Sequence, residues 1–155
     1  MNNGERIYPL MDKIDRDILN HLQRNGRDSF RTIAGKLGIA PSTVMKRVRE
    51  LESSGAIKGY GAHIDYDRIG FDIHVIVDVK VAKGKLQLIE SRIARHESVQ
   101  MVFDNTGSFD ATVIARFRNR SGLDRFLKKL QTYDFVERTE TKLILNTVKE
   151  GGVKI

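Results

Sequence analysis

Ser29–Leu51 reads SFRTIAGKLGIAPSTVMKRVREL, and its spacing decides the first half of the fold. Ser29 offers an N-cap to a short helix in which Ile33 and Leu37 share a face, and Gly38 supplies the stop. Pro41 suits the first turn of a second helix, where Val44, Val48 and Leu51 recur at four-and-three spacing until Ser53-Ser54-Gly55 closes it. Ala34 is small where the two helices must approach. Ile33, Leu37, Ile39, Val44 and Val48 are the candidate shared core, and the glycine turn makes the pair a helix-turn-helix.

Plain helical packing has the same apolar pattern, so the outward face of the second helix decides what the pair can do. At about 100° per residue, with Val44 turned to the core, Ser42, Lys46 and Arg49 point away and Thr43 and Met45 lie on the flanks. No carboxylate joins that central stripe until the helix ends. Lys and Arg pair with phosphates or guanine edges, Ser and Thr take phosphates or bases, and Met45 suits a thymine methyl. Arg47 lies nearer the core edge, where it is expected as a phosphate contact or a partner of Glu50. Arg27, Ser29, Arg31 and Lys36 lie on or beside the preceding helix, which in such motifs crosses the DNA backbone, and are expected to position it.

Upstream, Asp12 can cap a helix whose third position is Asp15 and whose Ile14, Ile18 and Leu22 fall on one face, ending at Asn25-Gly26. The pattern changes near residues 61–70. Beyond it Val75, Val77, Val79 and Val81 alternate as a half-buried strand, and Leu86, Ile89 and Ile93 mark a helix. Val99–Phe103 and Asp110–Phe117 read as a hairpin around Thr106-Gly107-Ser108. Ser121 with Asp124 signals a capping box before Leu123, Phe126, Leu127 and Leu130, and Lys142–Val148 reads as the last strand. The order βαββαβ is the ferredoxin-like motif, so the expected class is α+β. Residues 1–11 form an N-terminal arm, 12–60 the helical domain, 61–70 a linker, 71–150 the sheet domain and 151–155 a tail. One sheet face is left bare, and a second subunit is its expected cover.

The composition agrees with a folded, basic chain. Of 155 residues 40% are hydrophobic, only two are prolines, and the formal net charge is +7, which favours an anionic partner such as nucleic acid. The absence of cysteine excludes disulfides, thiolate metal sites and a cysteine nucleophile. No stretch approaches the roughly 20 apolar residues that span a bilayer, so the expected location is the cytoplasm with no membrane partner.

His21, His63, His74 and His96 lack metal-binding spacing, no phosphate loop is present, and Asp65 and Asp67 read as a solvated turn; neither enzyme activity nor a cofactor is expected. Thr106–Asp110 admits two readings. Its amides and the Asp110 carboxylate could hold a zwitterion, or Asp110 could simply bond its own backbone in a tight turn.

Taken together, Met11–Leu19, Gly26–Ser29, Arg47–Glu52 with Gly55–Tyr60, and Thr106–Asp110 resemble the Lrp/AsnC, or feast/famine, family of prokaryotic transcriptional regulators over nearly the whole chain. The resemblance implies a winged helix-turn-helix, a linker strand, and a βαββαβ domain that dimerises through its sheets. It further implies dimers gathered into octamers and an amino-acid effector between them. Carried to this chain, the effector site would comprise Thr106, Gly107, Ser108, Phe109 and Asp110, with Thr139 and Thr141 beside them. Two residues depart from the family pattern. Ala40 stands where a capping Ser is usual, leaving Ser42 or Thr43 to serve the first turn, and Thr32 stands where many members have Glu.

Overall fold

The computed structural model describes residues 11–155, so the expected arm at 1–11 lies almost wholly outside the described residues. Contacts divide the chain into a helical unit, running to His63 and including Glu150–Ile155, and a second unit spanning Ile64–Lys149.

In the helical unit, α1 (Lys13–Arg24) opens with the expected capping box: Asp12 accepts from the Asp15 amide, and Asp15 from the Asp12 amide. Helix α2 (Phe30–Leu37) is capped by Ser29, whose hydroxyl accepts from the Thr32 amide and also meets the Thr32 hydroxyl at 2.9 Å. A left-handed Gly38 (φ 68°) stops α2 and feeds α3 (Pro41–Ser53). Ile18, Ile33, Val44 and Val48 are fully buried among the three helices, and Ala34 lies against them. Segment 54–63 carries no strand, because an extended stretch broken by Gly59 and Gly61 finds no ladder partner within the unit.

The second unit is an antiparallel sheet of order β2-β3-β1-β4, built from β1 (Ile73–Val81), β2 (Val99–Asp104), β3 (Ala111–Phe117) and β4 (Val136–Leu143). Helices α4 (Leu86–Arg92) and α5 (Arg120–Gln131) cover one face. Val75, Val77, Val79, Ala111, Val113 and Ala115 point into that layer against Ile89, Ile93, Phe126 and Leu130. Each valine so buried contributes about 1.5–3 kcal/mol.

Two expectations are corrected. The cap of α5 is Asn119, which accepts from the Gly122 amide, so Ser121 falls inside the first turn, where its hydroxyl accepts from Arg125. The last strand begins at Val136, not Lys142, because its sequence VERTETKL is polar on both faces and gives no apolar alternation. Before β1, a short 3-10 turn (Asp67–Ile69) is tied to β3: Arg116, almost wholly buried, pairs with Asp67 at 3.1 Å and lies over the Tyr66 ring.

Candidate nucleic-acid interface and ligand pocket

Ser42, Met45, Lys46 and Arg49 are all exposed along α3, with Thr43 half-buried at its edge. The Arg49 guanidinium has no acidic partner among the described residues, and Lys46 stands 3.9 Å from Glu50, beyond hydrogen-bond reach. Arg27 and Arg31 are likewise exposed and unpaired among the described residues. Lys36 is drawn to Asp28 at 3.1 Å. No side chain caps α3 at Ala40, so neither Ser42 nor Thr43 replaces the missing serine; the Thr43 and Val44 amides fold back on the Ala40 carbonyl.

Arg47 departs from expectation. Its guanidinium binds Asp12 at 2.8 Å and Asp15 at 3.4 Å, so it ties α3 to the N-terminus of α1, in place of the expected phosphate contact or pairing with Glu50. His21, missed as a paired residue, is buried and joins Asp28 at 2.8 Å; the partner sits seven residues on, across a turn, where helical spacing gives no signal. Contacts from His21 and Lys36 hold the Asp28 carboxyl below its ordinary value.

The hairpin between β2 and β3 borders a cavity of about 480 Å³ lined by Asp78, Asp104, Asn105, Thr106, Ser108 and Phe109. Three of the seven expected effector residues, Thr106, Ser108 and Phe109, therefore line one pocket. Gly107 makes the turn at φ 118°. Asp110 turns inward instead: its carboxylate accepts from the Val81 amide at 2.9 Å and from Lys80 at 3.2 Å, and those bonds hold its pKa down. Thr139 and Thr141 are a correction. They pair directly with Val79 and Val77, and residues opposite each other in a ladder share a face, so both threonines lie on the helix-covered side.

Asp78, Asp104 and Asn105 were missed. Asp78 sits in a valine alternation and reads as an ordinary polar position, yet it is buried on the open face, with Lys142 at 2.7 Å and the Thr112 hydroxyl donating to it. Burial works to raise its pKa, but Lys142 and Thr112 outweigh burial and hold it below the ordinary carboxylate value. The Asn105 side chain in turn meets the Thr112 hydroxyl, and Lys142 also reaches Glu140 at 3.3 Å. A polar chain thus crosses the open face from β4 to the hairpin. Ile76 and Ile114 are half-buried on the same face, with Met101 and Phe103 exposed beside them.

Residues 11–52 match the AsnC-type helix-turn-helix domain, and residues 74–153 match the Lrp/AsnC ligand binding domain. The chain belongs to the Lrp/AsnC family. It is thus a transcriptional regulator with an N-terminal DNA-binding helix-turn-helix and a ligand-binding domain. An HTH-type transcriptional regulator of Pyrococcus abyssi is 38% identical over 141 residues, spanning 91% of this chain and 96% of that protein. The Lrp/AsnC fold is equally plain in solved structures. Escherichia coli AsnC superposes with a TM-score of 0.87 at 23% identity, covering 95% of this chain and 100% of that one. A transcriptional regulator of Neisseria meningitidis, solved as a complex with L-Met, gives 0.86 at 22% identity over 91% and 94% of the two chains. Among the described residues no helix is long and apolar enough to cross a membrane.

Proposed function

We propose that this regulator reads duplex DNA through Ser42, Thr43, Met45, Lys46 and Arg49, steadied on the backbone by Arg27, Ser29, Arg31 and Lys36. The exposed stripe on α3 carries the reading, since its two cations have no hydrogen-bonded acid to leave before meeting a phosphate or a guanine edge. Arg47 is assigned to structure, because removing it from Asp12 and Asp15 would unpair two carboxylates.

The open sheet face, with its half-buried isoleucines and exposed Met101 and Phe103, joins a second copy, and dimers assemble further into an even oligomer such as an octamer. The hairpin pocket takes an amino acid or similar zwitterion in the cytoplasm, as the Neisseria relative takes L-Met. Turn amides at residues 106–109 suit the ligand carboxylate. The ammonium's counter-charge passes from Asp110, already bonded, to Asp104, which lines the pocket and is exposed. The pocket serves binding and not catalysis: Asp78 is held ionised by its neighbours and is a poor proton donor or base at neutral pH.

Binding-site selection from random duplex DNA, with and without a panel of amino acids, tests the whole reading. Discrete sites with half-sites about one helical turn apart, shifted by one ligand, are expected. Uniform coverage of any sequence would instead mark a DNA-packing protein, and an Asp104→Ala chain with an unchanged ligand response would remove the pocket assignment.

A further inference from the structure

The described chain does not end in the second unit: Glu150–Ile155 returns to the helices. Leu145 and Val148 are 89% and 92% exposed and Val153 is 78% exposed, whereas Ile155 falls to 38%. Its backbone is held from both sides by one side chain. Asn20 on α1 donates to the Ile155 carbonyl at 2.7 Å and accepts from the Ile155 amide at 2.9 Å. A carboxamide that grips both the N–H and the C=O of one residue fixes an extended segment as a neighbouring strand does, independently of side chain.

The Ile155 side chain supplies the sequence-dependent part. It borders a groove of about 1340 Å³ between α1 and residues 54–63, walled by Leu19, Leu22, Ala56 and Ile57. Upstream, Gly152 lies so close to Gln23 that an added Cβ would stand 2.7 Å from its side-chain oxygen. Two points of α1, Asn20 and Gln23, thus meet a short glycine-containing segment of the same chain.

We infer that the flank of α1 at Asn20 and Gln23 is a peptide-docking site on the helical unit and that its occupant is the chain's own segment 150–155, with Ile155 at the edge of the groove. Residues 144–149 alone separate that segment from β4, the strand carrying Lys142. The docked segment is therefore a second attachment of the chain to the helical unit, hydrogen-bonded to α1 where residues 61–64 are continuous chain.

The absence of native cysteine makes the test clean in the full chain. A Gln23→Cys, Gly152→Cys double variant should form a disulfide within one chain under mild oxidation. Bonds formed only between chains, seen by mixing isotopically distinct copies, would make the occupant a second copy's segment and overturn the assignment. Absence of any bond would remove the docking altogether. In parallel, amide exchange at residues 153–155 of the unmodified protein should be slowed about tenfold relative to residues 147–149, and Asn20→Ala should abolish the difference while α1 and α3 stay protected. Equal exchange in the two stretches before mutation would refute the site even if the cysteine variant misfolds.

Discussion

The exposed face of α3 and the open face of the sheet both carry lysine and arginine, but they treat the charge differently. On α3, Arg49 has no acidic partner among the described residues and Lys46 only a distant one. On the sheet, Lys80, Arg116 and Lys142 each bond a carboxylate, respectively Asp110, Asp67 and Asp78, within 3.2 Å. Cations without partners attract an external anion and respond to salt; cations already paired leave a face nearly neutral, with apolar residues exposed beside them. Fold position alone does not separate the two faces. The pairing does.

The largest expected effect sharpens that contrast on the DNA side. Arg49→Ala and Lys46→Ala should each weaken specific binding by about 1–3 kcal/mol if the residue meets a base edge, or lower the salt slope by about one if it meets only phosphate. Titrations of a selected duplex at several salt concentrations decide which. A double variant with unchanged affinity and slope would break the comparison outright.

On the sheet, Thr112→Val keeps shape but removes the hydroxyl that donates to buried Asp78, so the second unit should lose about 1–2 kcal/mol by urea unfolding followed by circular dichroism. Lys142→Met should destabilise in the same direction, with a pH signature. In the parent the depressed Asp78 pKa contributes stability that is present above the ordinary carboxylate range and is lost as pH falls through the depressed value. The raised pKa of Lys142, caused first by Asp78 and then by Glu140, contributes stability present below the ordinary lysine value and lost as pH rises past the raised one. Without Lys142, burial dominates at Asp78 and its ionisation opposes folding, so the gap between parent and variant should close as pH drops from 7 toward 3. A gap that stays constant would show that the pair is not coupled.

The same distinction explains what could be read in the sequence. Helix spans, the Asp12 and Ser29 caps, the Gly38 turn and the valine strand were legible because each is set by residues a few positions apart. Asp78, Asp104 and Asn105 were not, because a pocket joins residues through ladder register, and register is fixed only when strands pair. Thr139 and Thr141 failed for that reason: one residue of offset moves a side chain to the opposite face. Asp110 is read from the sequence as an effector contact or as bonding its own backbone, and its contacts with Val81 and Lys80 could not be read there, because those partners lie about thirty positions away in sequence.

A smaller effect separates two arginines only two positions apart. Arg47→Ala removes the tie from α3 to Asp12 and Asp15 and should cost the helical unit about 1 kcal/mol of stability, with the partly buried Asp15 left unpaired. Its effect on DNA affinity should follow that loss and carry no change in salt slope, whereas Arg49→Ala should leave thermal stability alone. If Arg47→Ala lowers the salt slope while the melting temperature holds, the two residues have been assigned the wrong way round.

The smallest effect concerns the start of α3. Ala40 accepts nothing through its side chain, so the first-turn amides lack a hydroxyl acceptor and Pro41 alone favours the helix start. Ala40→Ser supplies that acceptor and should raise the melting temperature of the helical unit, by about 0.5–1 kcal/mol in stability. The same amides sit at the positive end of the helix dipole, where a DNA phosphate is the natural acceptor in the bound state. A serine hydroxyl would then compete with the phosphate, and the gain in stability should come with no gain in DNA affinity. Thermal melts and binding titrations on the one variant measure both. Tighter DNA binding in step with the stability gain would mean that the free end of α3 limits binding by fraying, and an unchanged melt would mean that the bonds from Thr43 and Val44 to the Ala40 carbonyl already suffice to hold the turn.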